Sequence, residues 1–338
     1  MASQTDNKLY VSASDATEFM RSVLIGNGVS PENANIVADC LVQADLRGVD
    51  THGVNRISSY MARIREGFLD TKANPSLNQI TPVVAQVDGN NGFGFVAAHM
   101  GMARAIEMAK EFGIGMVSVK HSNHFGMLAW VVQQVLDAGM MSLVFTNSSP
   151  ALPVWGGRSK LMGTWHLLLQ RGAKIYKAAR RGEKIPMDWA LDREGKQTDD
   201  PYKALGGVML PMGGPKGSAL AIMMDAFSGV LSGSAFAGHV TNPYDPSKPA
   251  DVGHFLIAIK ADLFMTLEDF KERMDYLYKR VVESDKMAGV DRIYYPGEIE
   301  QLTKERLKTG IPYVQTEIDA LNREAERVGA KAIITQGR

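Results

Sequence analysis

The sequence predicts an α/β protein, and three observations carry that prediction. Short β-branched runs alternate with longer segments of helical period through the middle of the chain. Both ends carry amphipathic helical patterns. The clearest unit, Gly113 to Gly157, reads strand, helix, strand.

From the start, Ser14 is placed to cap a helix with Phe19, Met20, Val23 and Leu24 on its apolar face, ended by Gly26-Asn27-Gly28. Ser30 and Pro31 open a second, with Ile36, Val37, Cys40, Leu41 and Ala44 turned inward. A third, capped by Thr51, carries Val54, Ile57, Met61 and Ile64 as its apolar stripe. His52, Arg56 and Tyr60, one turn apart, form a separate stripe. That arrangement lines up a proton carrier, a fixed cation and a phenol. An arginine can grip a carboxylate with two parallel hydrogen bonds, and a histidine one turn away can address the group beside it. An ordinary solvated face fits the same pattern.

Residues 82 to 88 read as a strand closed by Gly89-Asn90-Asn91-Gly92, followed by a helix from Ala97 to Phe112. Gly92-Phe93-Gly94 resembles a dinucleotide loop only superficially. The third glycine and the acidic residue after a second strand are both missing, so a Rossmann fold is not predicted. Ile114 to Val119 is a buried strand, Leu128, Val131, Val132 and Val135 mark a helix, and Met141 to Phe145 is the next strand. Ligands gather outside the carboxyl ends of strands in open α/β sheets. The loops His121-Ser122-Asn123-His124-Phe125-Gly126 and Thr146-Asn147-Ser148-Ser149-Pro150 therefore form the candidate site. Two imidazoles there suit proton chemistry. A metal pair would want a third ligand, and His52 offers one without any cysteine or close carboxylate motif beside it. Loop histidines bonded only to backbone are the plain alternative.

Met212-Gly213-Gly214-Pro215-Lys216-Gly217 precedes a helix bearing Leu220, Ile222, Met223, Phe227 and Val230. Glycines ahead of a helix free backbone N–H groups for an anion, and Lys216 adds a charge, though the spacing is not that of a phosphate-binding Walker loop. A plain helix-entry turn reads equally well there. Asn242 to Asp251 is a loop, His254 to Ile259 a strand, and Leu267 to Val282 an amphipathic helix. Thr316 is placed to cap a last helix with Ile318, Leu321, Ala325 and Val328.

With 338 residues, 45% of them hydrophobic, the chain suits two domains. Its 37 basic residues balance 37 acidic ones, so no global field steers it toward nucleic acid or membrane, and small-molecule work is expected. The one cysteine, Cys40, excludes an internal disulfide and suits a reducing compartment. No apolar run approaches the ~20 residues of a membrane span, and the amino terminus lacks a signal-peptide pattern, so a cytoplasmic location is expected.

Five segments then match a known pattern in order along nearly the whole chain: Asp45 to Val54, Ser122 to Gly126, Asn147 to Pro150, Gly213 to Gly217 and Tyr295 to Glu298. They resemble the malate/L-lactate dehydrogenase family, which also holds ureidoglycolate and sulfolactate dehydrogenases and cyclic imino-acid reductases. The resemblance implies a non-Rossmann domain binding NAD or NADP on a mixed sheet flanked by helices, here residues 76–254. It also implies a helical domain built from both ends, 1–75 and 255–338, and a homodimer with cofactor near the interface. Carried over by position, His124 resembles the catalytic acid/base, with His52 beside it in the catalytic set. Arg56 and Tyr60, together with Thr51, resemble substrate contacts. Ser148 and Lys216, with His121 and Gly214, resemble cofactor contacts, and no metal is expected. The implied reaction moves a hydride between nicotinamide and a 2-hydroxy acid, with reduction of a cyclic imino acid as the alternative.

One stretch departs from the family. After Gly163-Thr164 the family continues with an Asn-Pro turn and a strand carrying Asp-Met-Ala-Thr, where this chain runs directly into Trp165 to Gly172. A strand that contributes cofactor contacts is absent, and Trp165 with Leu167-Leu168-Leu169 is apolar enough to offer a substitute strand. Weak or absent nicotinamide binding, as in a catalytically silent homologue, follows as an expectation.

Overall fold

In a computed structural model, which describes residues 8–163 and 165–335, the chain begins β1 (Leu9–Val11), α1 (Ala13–Gly26), α2 (Pro31–Leu46) and α3 (Ile57–Arg65). Its middle runs β2 (Ser76–Thr81), β3 (Val84–Asp88), α4 (Gly94–Phe112), β4 (Ile114–Ser122), α5 (Leu128–Asp137) and β5 (Met140–Thr146). Then come α6 (Trp165–Arg181), β6 (Ala190–Leu191), α7 (Pro201–Gly206), β7 (Val208–Met209), α8 (Pro215–Asp225) and β8 (Val252–Lys260). The chain closes with α9 (Leu267–Val282), α10 (Glu298–Leu302), α11 (Lys304–Thr309), β9 (Ile311–Tyr313) and α12 (Gln315–Glu326).

Five strands form the central sheet in the order β2-β3-β4-β8-β5. β3 and β4 are parallel, while β8 runs antiparallel to both its neighbours, β4 and β5. The sheet is therefore mixed. β4 and β5 point the same way, and the start of β8 lies between their carboxyl ends. That geometry brings the two loops predicted as a site to one edge of the sheet.

The alternation along β4 buries Val117 and Val119 completely, and α4 lies across the sheet on Met102, Ala105 and Ala109. Helices α1 and α2 pack together, and α2 packs on α4. One hydrophobic core thus runs unbroken from Leu24 and Leu41 through Phe95 and Val117 to Leu256 and Ile318. Burying each such side chain contributes about 1.5–3 kcal/mol. The chain ends meet: β1 pairs with β9, α12 packs on α1 and α3, and Arg65 bonds Glu324 at 2.7 Å. The boundary expected after residue 254 falls inside β8, which the sheet uses in full.

Several expectations change in detail. Ser12, not Ser14, caps α1, its Oγ accepting from the Asp15 amide. Thr51 caps no helix: residues 50–52 and 54–56 form two short 3-10 turns, and α3 begins only at Ile57. The last helix starts at Gln315, after Val314 rather than after Thr316. The substitute strand expected after Thr164 is instead α6, and Leu, Gln, Lys, Arg and Ala in its sequence are strong helix formers. Among the described residues β5 therefore pairs on one side only, with β8.

Candidate active site

The turn after α2 is built on a buried carboxylate. Asp45 Oδ2 accepts the Val54 amide at 3.0 Å and the Tyr313 hydroxyl at 2.6 Å. The residue between has to be glycine, because a Cβ on Gly53 would lie 1.7 Å from Asp45 Oδ1. On this turn Arg56 donates from Nε to the Thr51 carbonyl at 2.7 Å, and its guanidinium lies over the Tyr244 ring, 4.9 Å from the centroid. Thr51 Oγ1 is 3.0 Å from His52 Nδ1. His52 and Arg56 are each only 3% exposed, which overturns the reading of this stripe as a solvated face.

His124 comes to meet them from the loop after β4. Its ring stacks on His52 with centroids 5.4 Å apart, and its Nδ1 lies 2.7 Å from the Tyr60 hydroxyl. The Gly126 amide donates to the same Nδ1 at 3.3 Å. A backbone N–H can only donate, so Nδ1 is an acceptor and the neutral ring carries its proton on Nε2. Burial pushes the Tyr60 phenol up, which keeps it protonated and donating. Gly126 itself has φ +77°, and a Cβ there would sit 2.4 Å from the Phe95 ring.

Three strand ends are tied together beneath this loop. His254, at the start of β8, reaches Thr146 Oγ1 at 2.7 Å through Nδ1 and Ser122 Oγ at 2.9 Å through Nε2. Its ring stacks on Phe125 at 4.6 Å, and burial holds its pKa down at about 3, so it is a neutral strut. Asn147 donates to the Ala235 carbonyl at 2.6 Å and to Asp225 at 3.2 Å, and accepts the Gly253 amide at 3.0 Å. Arg63 donates to the carbonyls of Asp245 and Lys248 at 2.6 and 2.9 Å, fixing the loop that carries Tyr244. Asp45, His254 and Arg63 were not singled out by sequence pattern as site residues. Their partners lie far along the chain, 108 residues away for His254 and Thr146, and no local spacing announces them.

Two adjoining spaces open at this edge. His124, Tyr60, Asn147 and Ser148 line a chamber of about 20 Å³, room for about one water. Thr51, Arg56, Ser148, Lys160, Tyr176 and Tyr244 line a cleft of about 470 Å³, the larger of the two and roomy enough for a small acid. Ser148 and Ser149 belong to both walls. The other residues expected to touch a cofactor line neither space. His121 sits at φ +47° with Nδ1 3.0 Å from Asp88, Lys216 is exposed at the start of α8, and Gly214 precedes α8 beside Trp155. Of the expected cofactor contacts, only Ser148 faces these spaces, and the others do not converge on it. Among the described residues, no three His, Cys, Asp or Glu side chains group as a metal site requires.

The turn after α2, helix α3 and the loop after β4 thus bring together two imidazoles, a guanidinium and a phenol beside a cleft and a chamber that share one wall. The chain belongs to the malate/L-lactate dehydrogenase family, whose model matches residues 11–165 and 169–322. It is 35% identical to the malate dehydrogenase of Pyrococcus abyssi over 356 aligned positions, covering 97% of each chain. It is 30% identical to the NAD(+) ureidoglycolate dehydrogenase of Escherichia coli K12, over 86% of this chain and 88% of that one. Its fold matches the sulfolactate dehydrogenase of Methanocaldococcus jannaschii with a TM-score of 0.90 at 30% identity, covering 96% and 98% of the two chains. The alignment with the Pyrococcus enzyme is longer than this 338-residue chain, so that relative carries residues this one lacks. The family match is broken at residues 166–168, where the sequence departs.

Proposed function

We propose that this chain is an NAD(P)-dependent oxidoreductase moving a hydride between nicotinamide and the carbinol carbon of a 2-hydroxy acid such as malate or lactate. The observation that carries the reading is the convergence of His52, Arg56, Tyr60 and His124 from two distant segments, with Arg56 on the cleft and Tyr60 and His124 on the chamber that shares its Ser148 wall. Arg56 receives the substrate carboxylate, and its Thr51 and Tyr244 contacts hold the guanidinium in place. His124 presents Nε2–H to the carbonyl oxygen, which gathers negative charge as the 2-oxo acid is reduced. Tyr60 and the Gly126 amide, both donating to Nδ1, keep the ring in that tautomer. Proton transfer of this kind is typically worth 10²–10⁴-fold in rate. A bound nicotinamide supplies the hydride, with Ser148 as its wall contact and His121, Gly214 and Lys216 as outlying ones.

The protein acts in the cytoplasm as a homodimer. Support for the second copy comes from α9, which buries no residue of its own, and from Phe264, Tyr276 and Met287, which are 87%, 67% and 80% exposed. Among the described residues no helix is long and apolar enough to cross a membrane.

A panel of 2-oxo acids and cyclic imines, assayed with NADH and NADPH in turn, tests the reading. Turnover of 2-oxo acids supports it, and turnover of imines alone moves the assignment to a cyclic imino-acid reductase. A second reading, a silent homologue that binds ligand without turnover, is favoured by the break in the family match at residues 166–168, inside α6. Absence of NADH binding by fluorescence would select it.

A further inference from the structure

The Asp45 carboxylate touches neither cleft nor chamber, yet it sits at the junction of three separate pieces of chain. It belongs to α2, it accepts from the turn that carries His52 and Arg56, and it accepts from Tyr313 on β9. Arg306 on α11 reinforces the same junction, donating to the Asp45 carbonyl at 3.0 Å and to Asp50 at 3.2 Å. A carboxyl group buried at 1% exposure is costly to place unless the two bonds to its Oδ2 are kept. The glycine at 53 exists to let it approach. Nothing else in the fold demands that approach: α2 and the turn already pack through Cys40, Leu41, Val54 and Ile57.

We propose that Asp45 is a positioning residue for substrate binding, clamping the turn so that Arg56 faces the cleft and His52 stacks on His124, with Tyr313 of the carboxyl-terminal segment as the second jaw of the clamp. The inference rests on the reading of Arg56 as the carboxylate anchor. Burial pushes the Asp45 carboxyl up to about 7, against the Tyr313 and Val54 hydrogen bonds, which lower it. Asp50 and Glu317 face it and raise it further, while Arg306 lies beside it as the nearby cation. A charged acceptor holds N–H and O–H donors about twice as strongly as a neutral one. Burial outweighs that gain, so by linkage the clamp loosens as pH rises toward about 7.

The test uses the full chain and two readouts independent of turnover: hydrogen exchange at residues 50–57, and calorimetric binding of oxamate, a 2-oxo acid analogue. Asp45→Ala removes the acceptor and is expected to speed exchange at the Val54 amide and to weaken oxamate roughly ten- to hundred-fold. Asp45→Asn keeps an acceptor of the same shape without titrating, so its oxamate affinity should lose the step near pH 7 that the parent has. If Asp45→Ala does not fold, Tyr313→Phe, which deletes only the hydroxyl, should show the same two effects in smaller measure. Arg56→Lys serves as the control: if it leaves oxamate binding unchanged, the carboxylate-anchor reading fails, and the exchange data alone then decide the clamp. Unchanged exchange together with unchanged affinity in Asp45→Ala, or a pH step surviving in Asp45→Asn, overturns the proposal.

Discussion

At the residue scale, the site is a set of buried polar groups, each held by a partner that fixes its chemical state. His124, which the proposed function has exchange a proton, is held through Nδ1 by Tyr60 and Gly126 and lies on a loop rather than in the packed core. His124→Ala is therefore expected to abolish turnover, at least 10²-fold, while thermal unfolding and NADH affinity stay close to those of the parent. Near-normal kcat would move the role to His52. Two other buried groups set opposite pH dependences. His254 has its pKa held at about 3, so the unfolded chain takes up a proton first, and stability present above about 6.5 is lost as pH falls toward 3. Asp45 is raised to about 7, so its stability is present below the ordinary carboxylate range and is lost as pH rises through 7. Between about pH 4 and 6.5 the two oppose each other at about 1.4 kcal/mol per unit each. His254→Gln should unmask the Asp45 trend: relative to the parent, the variant gains stability at each step down in pH. Denaturant titrations at four pH values decide it, and parallel curves for the two proteins would remove His254 from the account.

At the element scale, the consequential feature is the edge of the sheet. β5 pairs only with β8 among the described residues, and Met141 and Leu143 are 48% and 51% exposed along it. An open apolar edge is a place where a further strand belongs. The chain meets this point with α6 because a run of Leu, Gln, Arg and Ala favours helix and carries few β-branched residues. Inserting an Asn-Pro turn and a strand with Asp-Met-Ala-Thr between Thr164 and Ala173 should raise nicotinamide affinity and turnover together. Tight NADH binding and ordinary turnover by the chain as it stands would show that β5 needs no such neighbour.

At the scale of the whole molecule, one core joins the helices of both ends to the sheet, and α9 lies outside that core. An amphipathic helix left without a buried face is stable only when another surface covers it. Replacing Tyr276 and Leu277 together by glutamate is expected to halve the mass seen by light scattering. The far-ultraviolet spectrum should be unchanged, since neither side chain touches the core of its own chain. A mass unaltered by both charges would remove α9 from the proposed dimer contact.

The sequence by itself determined the strand and helix periods and the two loops at the ends of β4 and β5, and it set His52, Arg56 and Tyr60 at four-residue spacing with His124 and Ser148 on those loops. Those follow from local spacing, which the chain cannot alter without turning an apolar face to water. Only the tertiary structure decided that Tyr60 bonds His124, that Asp45 answers to Tyr313, and that His254 ties Ser122 to Thr146. It also decided that His121, equal to His124 in the sequence, turns away to Asp88. A buried polar group finds its partner wherever packing brings a donor or acceptor within reach, and that choice is made across the whole chain rather than along it.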